Sequence, residues 1–305
     1  MIQDKNISKD WSYYALAICA TTLWGSAFAG AKIAFEYMPP MMLSGFRFML
    51  AGVLLMPLIF VMKVDWRTQL HEWRFMLLFG FLQTFMQYGF FYAGLNLVPA
   101  ALAAIVIGAG PLFTAVMAHL TLSDDKLTSR KMVSIALGIA GVVSISMGGE
   151  SLTASNPHFY RGLALLLVSN GVGSYTNIMV IKHKSSIAPI LLTLVANFTG
   201  GLLLFLVSLF VEPTEVLHSA LPVEFYFALL WLAIIPAAGF SIWYGLLQRP
   251  GVKVSELNVL KFIIPVVGVV LSWLLLPEES PTWSAVIGIV IISTSVIVLQ
   301  LSTKK

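Results

Sequence analysis

The chain has 305 residues, of which 58% are hydrophobic and only 10% charged, with a mean hydropathy of +0.89 and a formal net charge of +4. A soluble globular domain carries roughly 25% charged residues, so a soluble enzyme or soluble binding module is excluded and a polytopic membrane protein is indicated. The modest positive charge does not call for a nucleic-acid partner, because membrane proteins gather Lys and Arg on their cytoplasmic side.

Ten apolar runs follow one another at about 12–34, 40–62, 73–95, 100–122, 131–148, 160–181, 188–211, 225–247, 254–276 and 283–301. Each is near the roughly 20 residues that a helix needs to cross a bilayer. A β-barrel would show shorter segments of alternating polarity. The fold expected is therefore all-α and integral to the membrane, with ten transmembrane helices. The polar start MIQDKNISKDW precedes a run too long for the apolar part of a cleaved signal peptide, so the first span is expected to be retained. The one cysteine, Cys19, lies inside that run, and no intramolecular disulfide is possible.

Basic residues set the expected orientation. With a cytoplasmic N-terminus, Lys5, Lys9, Lys63, Arg67, Arg74, Lys126, Arg130, Lys131, Lys182, Lys184, Arg249, Lys253, Lys304 and Lys305 fall on the cytoplasmic side. Only Lys32 and Arg161 fall near the opposite boundary, where Glu36, Glu150, Glu212, Glu215, Glu224, Glu278 and Glu279 gather. That asymmetry places both termini in the cytoplasm and the protein in the inner, or plasma, membrane.

The second half echoes the first. Pro40 with Ala51-Gly52 recurs as Pro189 with Gly200-Gly201; Glu72, Phe75, Leu77 and Tyr92 recur as Glu224, Phe227, Leu229 and Tyr244. Pro111, Asp124-Asp125 and Thr128 recur as Pro265, Glu278-Glu279 and Thr282, 154 positions on. Two five-helix repeats are implied, residues 1–148 and 160–301. Five is odd, so the second must enter the membrane from the opposite side, and the repeats are inverted. In secondary transporters that arrangement lets each half take up its partner's conformation, giving alternating access around a midplane site. A membrane-embedded receptor or scaffold would not need it, and a membrane-embedded enzyme would need clustered catalytic groups. His71, His158, His183 and His218 all lie in connections, and no HExxH or comparable cluster occurs. No cofactor and no metal site are expected.

The first run carries Leu23-Trp24-Gly25-Ser26, with Phe28 and Lys32 following; Pro39-Pro40 and Arg47 come next, and the fourth run reads ALAAIVIGAGPLFTAVMAHLTLSDDKLT. These residues, with Pro265 and Glu278-Glu279 in and after the ninth run, resemble the drug/metabolite transporter superfamily, and within it the ten-span EamA family of exporters. The resemblance covers nearly the whole chain and implies export of a metabolite such as an amino acid. It departs from the family where Leu122-Ser123-Asp124-Asp125 stands for the usual Leu-Gly-Glu, and where Lys261 occupies a place that is more often apolar.

Lys261 lies eight residues past Lys253, roughly 12 Å into its helix, and its twin in the first half is Ile107. An ionised group at such depth is costly and marks a functional site unless it snorkels to the headgroups. Arg47 is the second cation within a span. Gln83, Gln87, Tyr88 and Tyr92 recur at helical spacing in the third run, where an apolar core needs no glutamines. With Trp24, Tyr175, Asn177, Trp243, Tyr244 and Asn258 they would make an amphipathic substrate pocket. Glu256 and His119 are candidates for coupling to a proton, and Pro111 and Pro265 for hinges, since each frees a backbone carbonyl inside a helix. The expected partners are a small amphipathic solute bearing a carboxylate, a proton as a candidate coupling ion, and the lipid bilayer; phosphorylated or other organic anions are the alternative substrates.

Overall fold

The computed structural model describes residues 11–123, 126, 128–147, 157–183, 187–215, 221–250, 252, 254–276 and 281–303. Among them every regular element is helical. In a lipid environment no water satisfies the backbone, so each apolar run must close its own N–H and C=O groups. The helices are α1 (Trp11–Phe35), α2 (Pro40–Val61), α3 (Trp73–Gly80, Phe81–Met86 and Gln87–Leu95), α4 (Ala100–Gly108 and Gly110–Thr121), α5 (Ser129–Met147), α6 (Phe159–His183), α7 (Pro189–Val211), α8 (Val223–Leu247), α9 (Val254–Val259, Leu260–Phe262 and Ile263–Leu275) and α10 (Trp283–Thr303). They coincide with the ten apolar runs. By length and apolar character, α1, α2, α4, α6, α7 and α8 each suffice to cross a membrane, with shorter apolar helices at Ile263–Leu275 and Trp283–Ser295. The protein is a multi-pass membrane protein, and its outer surface agrees: Phe210 is 88% exposed and Phe60 70%, as suits a surface facing lipid.

Prolines start several helices, where the missing N–H costs nothing and the fixed φ suits the first turn. Pro40 opens α2 and Pro189 opens α7, while Pro99 and Pro222 immediately precede α4 and α8. Tryptophans at the ends of runs lie at the surface, with Trp11 and Trp283 more than four-fifths exposed, as expected of an interfacial belt.

The helices pair across the two halves. α2 lies along α7, α5 along α10, α4 along α9, α1 along α8 and α3 along α6. Further contacts join α1 to α9 and α4 to α6, and α2 to α8 and α3 to α7. Exchanging each helix for the one five places along leaves this set of pairs unchanged. Small residues permit the close crossings. A Cβ added at Gly45 would lie 2.7 Å from Phe205 of α7, and one at Gly201 would lie 2.8 Å from the Phe48 side chain of α2.

Three helices are interrupted. α3 widens to a π turn at Phe81–Met86, α4 breaks at Ala109 between Gly108 and Gly110, and α9 tightens to a 3-10 turn at Leu260–Phe262. The last two breaks lie just before Pro111 and Pro265. Proline has no N–H to bond the carbonyl four residues back, which is that of Ile107 in α4 and of Lys261 in α9. At the crossing the two helices meet closely, since a Cβ on Gly108 would stand 2.5 Å from the Pro265 ring.

Two apolar clusters form the core. One gathers Phe28, Met42, Phe91, Leu95, Leu166 and Leu232; the other gathers Phe48, Met76, Phe79, Leu192, Trp243 and Leu257. Trp24 and Tyr88 pack against both. The space between the clusters is where the interrupted helices meet.

Candidate functional site

A cavity opens between the two clusters, with about 810 Å³ of empty space when the open solvent at its mouth is included. Helices of both halves line it: Trp24 and Phe28 from α1, Arg47 from α2, Gln83, Gln87, Tyr88 and Phe91 from α3, and Ile107, Gly110 and Thr114 from α4. From the second half come Ser169, Asn170, Gly173, Ser174 and Asn177 of α6, Ile235, Phe240, Trp243 and Tyr244 of α8, and Lys261 and Ile264 of α9. No aspartate or glutamate is among the described lining residues, whereas Arg47 and Lys261 both are.

Among the described residues each cation meets aromatic faces and no carboxylate. The Lys261 ammonium lies 4.7 Å from the Trp243 ring centre and 5.5 Å from that of Trp24. Those indoles are themselves 5.1 Å apart and tilted by 60°. Trp243 is fixed by its Nε1–H, which donates to Asn177 Oδ1 at 3.0 Å, and Asn177 in turn donates to the Gly173 carbonyl at 2.9 Å. Arg47 is 2% exposed, and its guanidinium donates to the Tyr92 hydroxyl and lies over the rings of Phe48, Tyr88 and Tyr92 at 4.8, 6.0 and 5.6 Å. Ring quadrupoles attract cations by about 0.5–2 kcal/mol each. That attraction holds the two charges in place while leaving them open to a stronger, ionic partner.

Polar contacts on the other walls tie helices of opposite halves together. Thr176 donates to Gln83 Oε1 across α6 and α3, Ser169 donates to the Gln87 carbonyl at 2.9 Å, and Thr114 of α4 donates to Ser174 of α6 at 3.0 Å. Asn170 donates to the Val106 carbonyl at 2.7 Å, just ahead of the break in α4. Several buried atoms of the lining lack a hydrogen-bond partner among the described residues: Trp24 Nε1, Arg47 Nε, Gln87 Oε1 and Tyr244 OH. Leaving one buried polar group unmatched costs about 1–3 kcal/mol, so four around one cavity point to a ligand or to water that satisfies them.

The sequence-derived candidates separate into groups. Trp24, Arg47, Gln83, Gln87, Tyr88, Asn177, Trp243, Tyr244 and Lys261 are brought together around the cavity. Tyr92 is fully buried behind it and holds Arg47. Three candidates do not join them. Tyr175 is 44% exposed, because it follows Ser174 by one residue and so turns about 100° around the helix, away from the cavity face. Asn258 is fully buried, outside the lining, with its amide donating to the Val254 carbonyl at 2.8 Å. His119 lies near the end of α4, also outside the lining, where its carbonyl accepts from the Lys126 ammonium at 3.1 Å. The Glu256 side chain and the pairs Asp124-Asp125 and Glu278-Glu279 lie outside the described residues. Pro111 and Pro265 stand at the α4 and α9 breaks beside the cavity.

On α6 sequence reasoning named Asn177 and missed the rest of the wall. Ser169, Asn170, Gly173, Ser174 and Asn177 recur at spacings of one, three, one and three, which is one face of a helix. A small and polar stripe in an otherwise apolar run was the available signal. Among the described residues no group of His, Cys, Asp and Glu is placed to hold a metal ion.

An all-helical, multi-pass membrane protein with an amphipathic cavity between its two halves is in the class of small-molecule transporters. The chain belongs to the EamA-like transporter family, whose sequence signature matches residues 11–147 and again 161–301. It is 28% identical over 287 residues to a protein of Escherichia coli named a probable amino-acid metabolite efflux pump, covering 92% of this chain and 91% of that one. It is 24% identical to the uncharacterized transporter YvbV of Bacillus subtilis over 92% of this chain and 89% of that one. A protein of known crystal structure shares the fold with a TM-score of 0.72 at 19% identity, covering 96% of this chain and 99% of its own.

Proposed function

We propose that this protein exports a small amphipathic metabolite bearing an anionic group from the cell by alternating access. The observation that carries the proposal is the lining of the cavity: two cations on aromatic supports, apolar walls, and no acidic residue among the described lining groups. An anion entering such a site exchanges its hydration for charge-assisted bonds to Lys261 and Arg47, while the rings receive its apolar part. Export, and an amino-acid metabolite as the substrate class, are what the name of the E. coli relative suggests.

In this reading all ten helices cross the plasma membrane, both termini are cytoplasmic, and residues 1–148 and 160–301 are inverted repeats. The exchange of helix pairs between the halves and the double match of the family signature support it. Each half offers one helix broken before a proline, α4 and α9. Bending at Pro111 and Pro265 would open one apolar cluster while the other stays closed. A proton is the candidate coupling ion, with Glu256 and His119 as the residues to test.

The test is flux. Proteoliposomes containing the purified protein are loaded with radiolabelled carboxylates, amino acids and phosphorylated metabolites, with and without a proton gradient. Saturable movement of an anionic solute is expected. Binding of such a solute without any flux would overturn transport in favour of a receptor.

A further inference from the structure

Resting on the transporter reading, and narrowing its substrate, we infer that the cavity selects a carboxylate without a free ammonium group: an aromatic or other bulky apolar acid whose neighbouring heteroatom is a hydroxyl or an acylated nitrogen. A free amino acid brings a positive charge to within a few ångströms of its carboxylate. That charge must meet a carboxylate or the face of an aromatic ring. The described lining holds no acid, and its two indoles, the best cation-binding faces, are already taken, as is Tyr88. Lys261 occupies Trp243 and Trp24, and Arg47 occupies Tyr88 and Tyr92. An ammonium would therefore add a third cation to two.

The atoms left without partners give the rest of the specification. Trp24 Nε1, Arg47 Nε and Tyr244 OH are donors, which suit the oxygens of a carboxylate. Gln87 Oε1 is an acceptor. It calls for one neutral O–H or N–H on the ligand, since a neutral amide oxygen offers no full charge to offset an ammonium. The rings of Phe28, Phe91 and Phe240 carry no resident cation among the described contacts and give the apolar body its wall.

A ring-matched series tests this in detergent by thermal shift and by isothermal titration: 3-phenyllactate, N-acetylphenylalanine, 3-phenylpropionate, phenylalanine and phenethylamine. Phenyllactate and N-acetylphenylalanine should bind most tightly, phenylpropionate roughly five-fold more weakly for want of the donor, and phenylalanine at least tenfold more weakly. Phenethylamine should not bind. Gln87→Leu should abolish the preference of phenyllactate over phenylpropionate while both still bind. Phenylalanine binding as tightly as its N-acetyl form overturns the inference, as does a series in which no acid binds. If Glu256→Gln then weakens phenylalanine selectively, the ammonium has a carboxylate after all. Flux of the same compounds in proteoliposomes keeps the two readings apart. Ordered binding without flux sinks transport but not the specificity, and flux of phenylalanine equal to that of phenyllactate sinks the specificity but not transport.

Discussion

The two helices α4 and α9 are built alike and finished differently. Each breaks just before a proline, each frees the carbonyl four residues earlier, and the two cross where Gly108 receives the Pro265 ring. At the freed position α4 carries Ile107 and α9 carries Lys261, and both line the same cavity. The frame is shared, so backbone geometry explains what the copies have in common. The side chain at the break is where they differ: an apolar residue fills space, while an ammonium on two indoles is, in the proposed reading, the group that recognises charge.

Removing that difference gives the largest expected effect. Lys261→Met should weaken binding of an anionic substrate by at least about thirtyfold, the lower end for loss of one partner in a desolvated charge pair, with the melting temperature unchanged or raised. Equilibrium binding and thermal melting on the same preparation check both halves of that statement. Unchanged binding would return Lys261 to a structural, snorkelling role. Transferring the charge sharpens the comparison. In the double variant Ile107→Lys with Lys261→Ile, binding should recover to within about tenfold of the parent if the two positions face one substrate.

Next in size is the crossing itself. Gly108→Val places a side chain against the Pro265 ring and should lower stability by roughly 1–3 kcal/mol, as overpacking does, measured by thermal unfolding in detergent. Asn177→Ala removes the acceptor of the Trp243 N–H, which should lower stability by roughly 1–3 kcal/mol, and frees the Trp243 ring, which should weaken substrate binding by roughly three- to tenfold.

The smallest effect lies at the end of the bundle. Both oxygens of Glu212, just past α7, accept the Met41 and Met42 N–H groups at 2.8 Å and so cap the start of α2. Burial raises the Glu212 carboxyl above its usual range, against the opposing pull of those two bonds. The sign follows from linkage: the folded state holds this proton more tightly than the unfolded state, so the group's contribution is full below the unfolded value and falls as pH rises through the folded one. The melting temperature of the parent relative to Glu212→Gln should therefore improve on acidification through the carboxylate range. A difference independent of pH would show that the cap does not titrate.

Much of this was legible because its causes are local. Apolar runs of bilayer length give helices in the right places, and Pro40, Pro189, Pro111 and Pro265 mark where helices start or break, since proline acts on its own backbone. Lys261 and Arg47 stand out because charge in an apolar run needs a reason. The candidates placed away from the cavity share one cause as well. Tyr175 and Asn258 are the residue types a pocket uses, but which way a side chain turns depends on the packing of its helix, and Tyr175 turns outward while Asn258 bonds its own helix. The α6 stripe was passed over because serine and glycine gain meaning only from what they face: Gly173 lies against the Gln87 amide, where a Cβ would be 2.7 Å from its Nε2.

The sequence by itself determined the environment, the helices, the breaks in them and the presence of two intramembrane cations, because hydropathy, proline geometry and charge act residue by residue. Only the tertiary structure decided that both cations meet aromatic faces at one cavity, that the described lining holds no acid, and that helices pair across the halves. Those are facts about distance between residues remote in the chain. Ile107 and Lys261 are 154 positions apart in the sequence and line a single cavity in the fold.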